Sequence, residues 1–351
     1  MSDEILRRPD GGEPALLRRI WRAAFGSGDE DAFFKHMYGP DRCIVAAPHG
    51  EPVAAGYLLP AGDLIAYGES VPCAMIYAVA TLPEHRGLGY GSSIVRKLIS
   101  FGRDLGFPAI VICPSEESLF EYYSAHAGFR DWFFVSERRY VAAARAAREP
   151  SAARGLTAVR VAPDEYCRLR EGFLEGVPHI KSSPDIFSYQ NELCKEFGGG
   201  LFRFDTSGGI ACAIIEVQQG GAVWIKELLS KGPAATGIGT RNNCEDGDIG
   251  AFIISETASM FPSGELVLRF PVWRREQCET TRGAGSGTIN EINIQSNHGT
   301  PEFPLENGLI RRSGMLVAQD GLFVRSGMSH GQLHGQGNGM TAAPWFGPAF
   351  D

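Results

Sequence analysis

The stretch Tyr77-Ala-Val-Ala-Thr-Leu-Pro-Glu-His-Arg-Gly-Leu-Gly-Tyr-Gly-Ser92 is the part of the chain that decides its fold. Apolar and β-branched residues at its start predict a strand, and the residues after Ser92 have the spacing of an amphipathic helix. Glycines at 87, 89 and 91 lie between the two. Glycines let the backbone approach a phosphate closely, and the following helix presents free N–H groups and its positive dipole end. The arrangement therefore predicts a diphosphate-binding turn.

The residues around these glycines disfavour two other kinds of glycine-rich loop. A nicotinamide dinucleotide fold needs an acidic residue that closes a strand about 20 positions further on, and none stands there. A Walker loop ends in Gly-Lys-Ser/Thr, whereas Gly91 is followed by two serines and no lysine. Instead, Pro83 ends the strand and Arg86 directly precedes the first glycine. The turn therefore belongs to a third type.

The turn resembles the acetyl-CoA signature of the GNAT superfamily of N-acetyltransferases, which is usually written Arg/Gln-x-x-Gly-x-Gly/Ala. The matching residues are Val79, Thr81, Pro83, Arg86, Gly87, Gly89 and Gly91. The resemblance continues beyond the turn, because an amphipathic helix is predicted over 92–105 and a buried strand over 107–113. A helix followed by a Gly-Phe turn is then predicted over 117–129. Residues 77–129 therefore look like the cofactor-binding core of that family.

The resemblance implies a role for each part of the motif. In the family, the strand splays from its neighbour and leaves a V-shaped opening for the cofactor arm. Backbone N–H groups at the strand end would polarise the thioester carbonyl of acetyl-CoA, and the loop would hold its diphosphate. The strand-end residues are Val79, Ala80 and Thr81, and the loop residues are Arg86, Gly87, Leu88, Gly89, Tyr90, Gly91 and Ser92.

The resemblance also places a proton donor for the departing coenzyme A thiolate in the helix after the second core strand. A free thiol has a pKa of about 8.5 and a tyrosine about 10, so a tyrosine can supply that proton. Tyr123 is the expected donor. Relatives often have three residues between this tyrosine and the Gly-Phe turn, whereas four separate Tyr123 from Gly128. Tyr122 is the alternative if the alignment shifts, and a packing role for both tyrosines stays open.

The base that takes the amine proton is left open by the sequence. Ionisable residues near the cofactor strand include Glu69, Tyr77, Glu84 and His85. Many members of the family use a chain of water molecules instead, and in some tandem members the C-terminal carboxylate reaches the active site. Bulky apolar residues in segment 344–351 would dock the C-terminus. Asp351 is therefore a candidate acceptor of that proton, with a plain final strand as the alternative.

Predicted elements on both sides of the core extend the resemblance. Two amphipathic helices are predicted over 13–25 and 29–37, followed by two strands over 43–47 and 53–59. An alanine-rich connector is predicted over 141–154. The expected division is a GNAT acetyl-CoA-binding catalytic domain over 1–143, a linker over 144–156 and a degenerate GNAT-like domain over 157–351.

The second domain is predicted to repeat the architecture of the first without its motif. The predicted helices cover 163–174, 190–197 and 249–260, and late strands are predicted over 289–295 and 315–319. Where a second cofactor loop would fall, Gly237 and Gly239 remain, but no Arg or Gln stands at the right spacing. The expected fold class is therefore α/β (α+β), with tandem GNAT-like domains and mixed central sheets flanked by helices.

Composition is that of an ordinary globular chain. The 351 residues, 44% of them hydrophobic and 21% charged, exceed one domain of this family and contain no apolar run of the ~18 residues that a membrane span needs. Eight scattered cysteines, and His330 and His334 without further ligands nearby, predict no metal site. A net charge of −8 disfavours nucleic acid and is more compatible with a cationic acceptor. The N-terminus has no apolar stretch typical of a secretory signal, so a cytoplasmic location is expected.

These features predict an acyltransferase that transfers the acetyl group of acetyl-CoA to a primary amine of a small molecule or peptide. Two alternatives stay open. One is a regulatory module that binds acetyl-CoA without turnover, and the other is an acyltransferase with a longer acyl donor. The sequence does not identify the acceptor, the oligomeric state or any ligand of the second domain.

Overall fold

The structure is a computed structural model that describes residues 5–26, 28–66, 68–141, 157–206, 209–231, 248–261, 265–271 and 309–319. The helices of these segments are α1 (Pro14–Phe25), α2 (Glu30–His36), α3 (Tyr90–Asp104), α4 (Glu117–Ala127), α5 (Pro163–Phe173), α6 (Pro184–Lys195) and α7 (Asp248–Met260). The strands are β1 (Leu6–Arg7), β2 (Cys43–Ala46), β3 (Ala54–Ala66), β4 (Glu69–Thr81), β5 (Ala109–Ile112), β6 (Arg130–Val141), β7 (Thr157–Arg160), β8 (His179–Lys181), β9 (Gly200–Thr206), β10 (Gly209–Val217), β11 (Val223–Lys231), β12 (Glu265–Pro271) and β13 (Leu309–Ala318).

The strands form one continuous mixed sheet. Their order is β1-β2-β3-β4-β5-β13-β6-β12-β11-β10-β9-β7, and β8 pairs with β3 outside this path. Two neighbouring pairs, β4 with β5 and β11 with β12, are parallel, and the other described pairs are antiparallel. Helices lie against this sheet, so the predicted α/β class with a mixed sheet flanked by helices is confirmed.

The second half of the chain, residues 157–319, repeats the element order of the first half, residues 5–141. β7, α5, α6, β9, β10, β11, α7 and β12 come in the same order as β1, α1, α2, β2, β3, β4, α3 and β5, with β8 as an extra strand between α5 and α6. In each series the last two strands are parallel and enclose a helix, α3 or α7.

β6 and β13 stand outside this repeat and lie between the two series. β13 pairs with β5 on one side and with β6 on the other. β6 pairs in turn with β12 of the second half. The strand beside β5 therefore comes from residues 309–318, far beyond the predicted domain limit at 143. That limit stays a prediction, because the sheet continues across it.

The helices of the first half cover its sheet on two faces. α1 and α2 cover the α1–α2 face, where Leu17, Trp21 and Phe33 are buried against β3 and β4. α3 and α4 cover the α3–α4 face, where Ile94 and Leu98 pack on Ile110 and other strand residues. α1 and α3 place their apolar residues along one side, as a period of 3.6 residues requires. Burying these two apolar stripes is what holds each helix to the sheet.

The second half is joined to the α1–α2 face of the first half by two contacts. β8 pairs antiparallel with β3, so that Lys181 lies opposite Asp63. Tyr189 of α6 is fully buried in the core of the same face. Gly62 makes this approach possible, because its φ is +116° and an added Cβ would lie 2.8 Å from the carbonyl carbon of Lys181. Only glycine fits there without moving β8.

A buried ion pair lies in the core of the second half. Arg170 of α5 and Glu227 of β11 are both fully buried, and Nε of Arg170 donates to Oε2 of Glu227 at 3.1 Å. The hydroxyl of Tyr166 donates to Oε1 of the same carboxylate at 2.8 Å. Removing Glu227 would leave the Arg170 guanidinium with only the partly exposed Glu171, 3.4 Å away, as a counter-charge, and removing Arg170 would leave a buried carboxylate without its cation. The network therefore fixes α5 to β11 specifically.

Several predicted elements match the structure and several fall outside it. The predicted second helix of the second half begins at Pro184, six residues before the expected start, and β13 begins six residues before its predicted start at 315. The predicted strand over 289–295, Gly237 and Gly239 of the second loop, and the segment 344–351 lie outside the described residues.

Candidate functional site

An opening in the sheet begins where β4 leaves β5. The two strands pair in parallel only from Cys73 opposite Ala109 to Ile76 opposite Ile112. Beyond Ile76, residues 77, 80 and 81 of β4 pair with β3, and the register of that pairing shifts at residues 78 and 79. One backbone edge of the predicted strand-end residues, Val79, Ala80 and Thr81, therefore faces the opening instead of a partner strand.

The glycine loop lies at the end of β4, as the sequence predicts. A short 3-10 turn over Pro83–His85 leads into Arg86, and Nε of Arg86 donates to the Thr81 carbonyl at 3.2 Å. Gly87 and Gly89 have φ values of +77° and +79°, which side chains with a Cβ adopt only with strain. Arg86 is exposed, and Leu88 is 58% exposed. The loop therefore presents its backbone and one cation to solvent.

The N-terminus of α3 is open to an anion. Gly89 is the N-cap and supplies no side-chain oxygen, and the first turn contains no acidic residue. The Ser92 hydroxyl donates to the Gly89 carbonyl at 3.0 Å, so it does not cap the helix amides either. A 15-residue helix that begins with uncapped N–H groups attracts phosphate through its dipole and through these donors. The residues present fit a diphosphate group.

Tyr122 and Tyr123 lie on α4, which packs against α3. Nη1 of Arg96 on α3 donates to the His126 carbonyl at 3.2 Å, which ties the two helices together. A Cβ added at Gly91 would lie 3.7 Å from the Tyr122 hydroxyl. The phenol of Tyr122 is therefore nearer to the start of α3 than the phenol of Tyr123 is. The expected proton donor, by contrast, is Tyr123.

Tyr123 is packed into the core of the α3–α4 face. It is 8% exposed, and its ring centroid lies 6.3 Å from that of Phe129. Burial raises the pKa of Tyr123 to about 12, with a further contribution from Tyr122. The structure thus keeps the Tyr123 proton bound at neutral pH. The other predicted catalytic residue, Asp351, lies outside the described residues.

Arg312 of β13 holds α4 in place and was not singled out from the sequence. Its guanidinium donates to Glu117, to Oε1 of Glu121 at 3.0 Å and to Oδ2 of Asp131 at 3.2 Å. It also lies 4.5 Å above the centre of the Phe120 ring. A residue 190 positions away thereby fixes the helix that carries both tyrosines. Sequence patterns do not reveal such a pairing, because it depends on where β13 lies.

A second phenol pair lies on the other side of the opening, on the α1–α2 face. The hydroxyls of Tyr77 and Tyr189 are 3.0 Å apart, so one donates to the other. Burial raises the pKa of Tyr77 to about 12 and raises that of Tyr189 as well. Tyr77 is one of the residues that the sequence leaves open as the base, whereas no sequence pattern points to Tyr189.

Neither a metal-binding cluster nor a membrane-spanning helix is present in the described segments. No group of three or more His, Cys, Asp or Glu residues there could hold a metal ion. Within the same segments, no helix has both the length and the apolar character needed to cross a bilayer. The described cysteines are free thiols: Cys43, Cys73, Cys113, Cys167, Cys194 and Cys212.

Known structures resemble this chain over most of its length. GCN5-related N-acetyltransferases from Kribbella flavida and Anabaena variabilis are each 14% identical to it, with TM-scores of 0.55 and 0.57. The matches cover 89% of this chain and 70% and 71% of those chains. Eis1 from Mycobacterium abscessus is 11% identical over 89% of this chain and 73% of that one, with a TM-score of 0.54. These likenesses show the fold.

A family model identifies the first half more closely. The model described as an acetyltransferase (GNAT) domain matches residues 8–126. The search of curated proteins found no match. The matched segment contains the opening between β4 and β5, the glycine loop, α3 and nearly all of α4. Residues 8–126 therefore match the model of a GNAT acetyltransferase domain, and the chain shares the fold of the solved GCN5-related N-acetyltransferases.

Proposed function

We propose that this protein is an N-acetyltransferase that moves the acetyl group of acetyl-CoA to a primary amine of a small molecule or peptide. GNAT domains use acetyl-CoA as their co-substrate. The observation that carries the proposal is the opening between β4 and β5, which has the glycine loop and the start of α3 at its end. A diphosphate would bind at the loop while the acetyl group reaches into the sheet.

The loop supplies the proposed binding site for the diphosphate of acetyl-CoA. Backbone amides of residues 87–92 would donate to its oxygens, and Arg86 would add one positive charge. The left-handed conformations of Gly87 and Gly89 support this role, because they turn the backbone outward without a Cβ in the way. A side chain that carries negative charge at this loop would repel the ligand.

The strand end supplies the proposed stabilisation of the thioester carbonyl. As the amine nitrogen forms its bond to the acetyl carbon, negative charge develops on the carbonyl oxygen. Backbone N–H groups of Val79, Ala80 or Thr81 that face the opening would stabilise that charge. The carbon–sulfur bond then breaks, the thiolate takes up a proton, and the amine loses one.

Tyr123 is our proposed donor of the proton to the thiolate, and Tyr122 is the alternative. Burial keeps the Tyr123 phenol protonated but makes it a weaker acid than a free tyrosine. Tyr122 is partly exposed and lies nearer to Gly91. The variants Tyr123→Phe and Tyr122→Phe separate the two, because loss of the donor lowers kcat while acetyl-CoA binding is retained.

We also infer that the chain is a tandem of GNAT-like halves with one working cofactor site. The repeated element order and the parallel pairing of both β4–β5 and β11–β12 support this inference. The proposed limits remain 1–143 and 157–351 with a linker over 144–156, and β13 completes the sheet of the first half. Asp351 remains a proposed acceptor of the amine proton.

The test is calorimetric titration of the purified protein with acetyl-CoA and with coenzyme A, alongside the variants Gly89→Glu and Gly106→Glu. Gly106 has a similar φ of +88° but follows α3, so its variant controls for strain and charge. We expect one site per chain that is lost only in Gly89→Glu. Absence of binding to the wild type would refute the proposal, and two sites would mean that the second half binds as well.

Turnover separates the enzyme from a binding module. Release of coenzyme A with a panel of primary amines is expected to depend on the amine, whereas a regulatory module would bind acetyl-CoA and release none. The same assay with longer acyl-CoA donors tests the other alternative. A higher kcat/KM for a longer acyl-CoA than for acetyl-CoA would mean that the enzyme transfers the longer acyl group instead of acetyl.

A further inference from the structure

The opening between β4 and β5 has the glycine loop on one face of the sheet only. α3 begins at this loop and packs on the α3–α4 face, next to Ile76 and Val79 of β4. In the proposed binding mode, acetyl-CoA therefore enters from the α3–α4 face, and its acyl group is the part that reaches towards the α1–α2 face. Side chains at the opening on the α1–α2 face thus decide how long an acyl group can be.

Tyr77 is the largest side chain that β4 places at the opening on the α1–α2 face. It is the first residue after Ile76, the last one of β4 that pairs with β5. The register between β3 and β4 shifts here, and Tyr77 and Ala78 both pack on this face instead of alternating. The other side chains at this place are small, namely Ala80 on β4 and Cys113 after β5. An acyl chain that grows towards this face therefore meets the Tyr77 ring.

The Tyr77 ring is held in place by other aromatic rings and by the second half of the chain. Its centroid lies 6.1 Å from that of Trp21 and 5.5 Å from that of Phe33. Its hydroxyl lies 3.0 Å from that of Tyr189, a fully buried residue of α6. Moving the ring would break this hydrogen bond and disturb close-packed neighbours. The ring is therefore a fixed wall of the opening.

We propose that Tyr77 is the residue that sets the length of the acyl group, and that its ring restricts the donor to acetyl-CoA. A longer acyl group places additional methylene groups where the ring lies, and such overpacking is unfavourable. This inference rests on the proposed acetyltransferase function. It decides between acetyl-CoA and a longer acyl donor, which the sequence leaves open.

The experiment is calorimetric titration of the full chain with acetyl-CoA and with butyryl-CoA, without an amine. Its readout is the ratio of the two dissociation constants, which does not depend on turnover. We expect the wild type to bind butyryl-CoA at least about tenfold more weakly than acetyl-CoA, because one methylene group too many in a closed pocket changes selectivity by about 10- to 200-fold. The ratio of kcat/KM for the two donors should show the same preference.

Three variants of Tyr77 separate the size of the ring from its hydroxyl. Tyr77→Ala and Tyr77→Val shorten the side chain and should make the two donors bind about equally well. Tyr77→Val suits a strand and leaves a smaller cavity, so it serves where Tyr77→Ala does not fold. Tyr77→Phe keeps the ring and should keep the wild-type preference. A role of the hydroxyl in proton transfer does not affect the ratio, because it would change turnover of both donors alike.

Tyr38→Val is the matched control, because Tyr38 belongs to the same aromatic cluster but packs against Tyr57, 6.2 Å away between ring centroids. It should keep the wild-type preference. The inference is overturned if the wild type binds both donors equally, if the shortened Tyr77 variants keep the wild-type ratio, or if Tyr77→Phe or Tyr38→Val changes it as much. A wild type that binds neither acyl-CoA nor coenzyme A would instead overturn the proposed function itself.

Discussion

Replacing Gly62 by alanine is expected to destabilise the junction between the halves more than the same change elsewhere in its hairpin. The residue lies in β3 with a φ of +116°, and an added Cβ would lie 2.8 Å from the Lys181 carbonyl carbon and closer still to its oxygen. Because real Cβ atoms essentially never approach within 3.0 Å of such a neighbour, β8 must move. Gly68 is the matched control, since its φ is +80° but an added Cβ meets nothing within 4 Å.

The expected magnitudes follow from these two geometries. Both substitutions remove the same conformational freedom from the unfolded chain, so that contribution cancels. Left-handed strain costs Gly68→Ala about 1–2 kcal/mol. Gly62→Ala has comparable strain and, in addition, about 1–3 kcal/mol from overpacking against β8. The free energy of unfolding should therefore be about 1–3 kcal/mol lower in Gly62→Ala than in Gly68→Ala.

Thermal unfolding and amide hydrogen exchange measure this difference. At about 2 °C per kcal/mol for a chain of this size, the Tm of Gly62→Ala should lie about 2–6 °C below that of Gly68→Ala. The amides of β8 should exchange faster in Gly62→Ala only, because that strand must shift away from β3. Equal Tm values with unchanged protection of the β8 amides would refute this reasoning, because they would show that the close approach of Lys181 to residue 62 does not affect the stability of the junction.

Three further predictions concern charges and protons. Arg312→Met should lower the free energy of unfolding by about 2 kcal/mol in urea, because three carboxylates lose their shared partner. It should also reduce kcat with little change in KM for acetyl-CoA. Arg312→Lys should recover part of the stability and part of kcat. Glu227→Gln should cost about 3 kcal/mol in denaturant unfolding, because it removes the buried carboxylate beside the fully buried Arg170 and leaves only the partly exposed Glu171, 3.4 Å away, as its counter-charge. The pKa of Tyr123 in the folded protein is raised to about 12, above that of a free tyrosine. The contribution of this residue to the free energy of unfolding is therefore complete below pH ~10 and is lost as the pH rises towards 12. The free energy of unfolding should thus fall less steeply with rising pH in Tyr123→Phe than in the wild type.

The parts of the site that follow one another in sequence could be predicted. Gly87, Gly89 and Gly91 adjoin the strand and the helix they connect, so spacing alone orders the strand end, the loop and the start of α3. The apolar period of 92–105 likewise predicts the buried side of α3. Local patterns are enough here because all the pieces of the proposed diphosphate site lie within residues 77–92.

The parts that depend on distant pairing could not be predicted. Nothing near Leu309 indicates that β13 lies between β5 and β6, since strand neighbours in a sheet are chosen by tertiary packing. Arg312 and Tyr189 gain their contacts only through such packing. The early start of α6 did leave a signal, because Ser183 and Pro184 are typical of a helix N-cap and first turn.

The position of β13 also determines what sets the width of the opening. Residues 109–112 of β5 pair with β4 on one side and, over the same four positions, with β13 on the other. β13 is held in turn by β6, which pairs with β12 of the second half. One wall of the opening is thus braced by a strand from the first half, one from residues 309–318 and one from the second half. Because interiors are close-packed, a shift in any of these strands is transmitted to β5. The width of the opening is therefore set by the whole sheet and not by residues 8–126 alone.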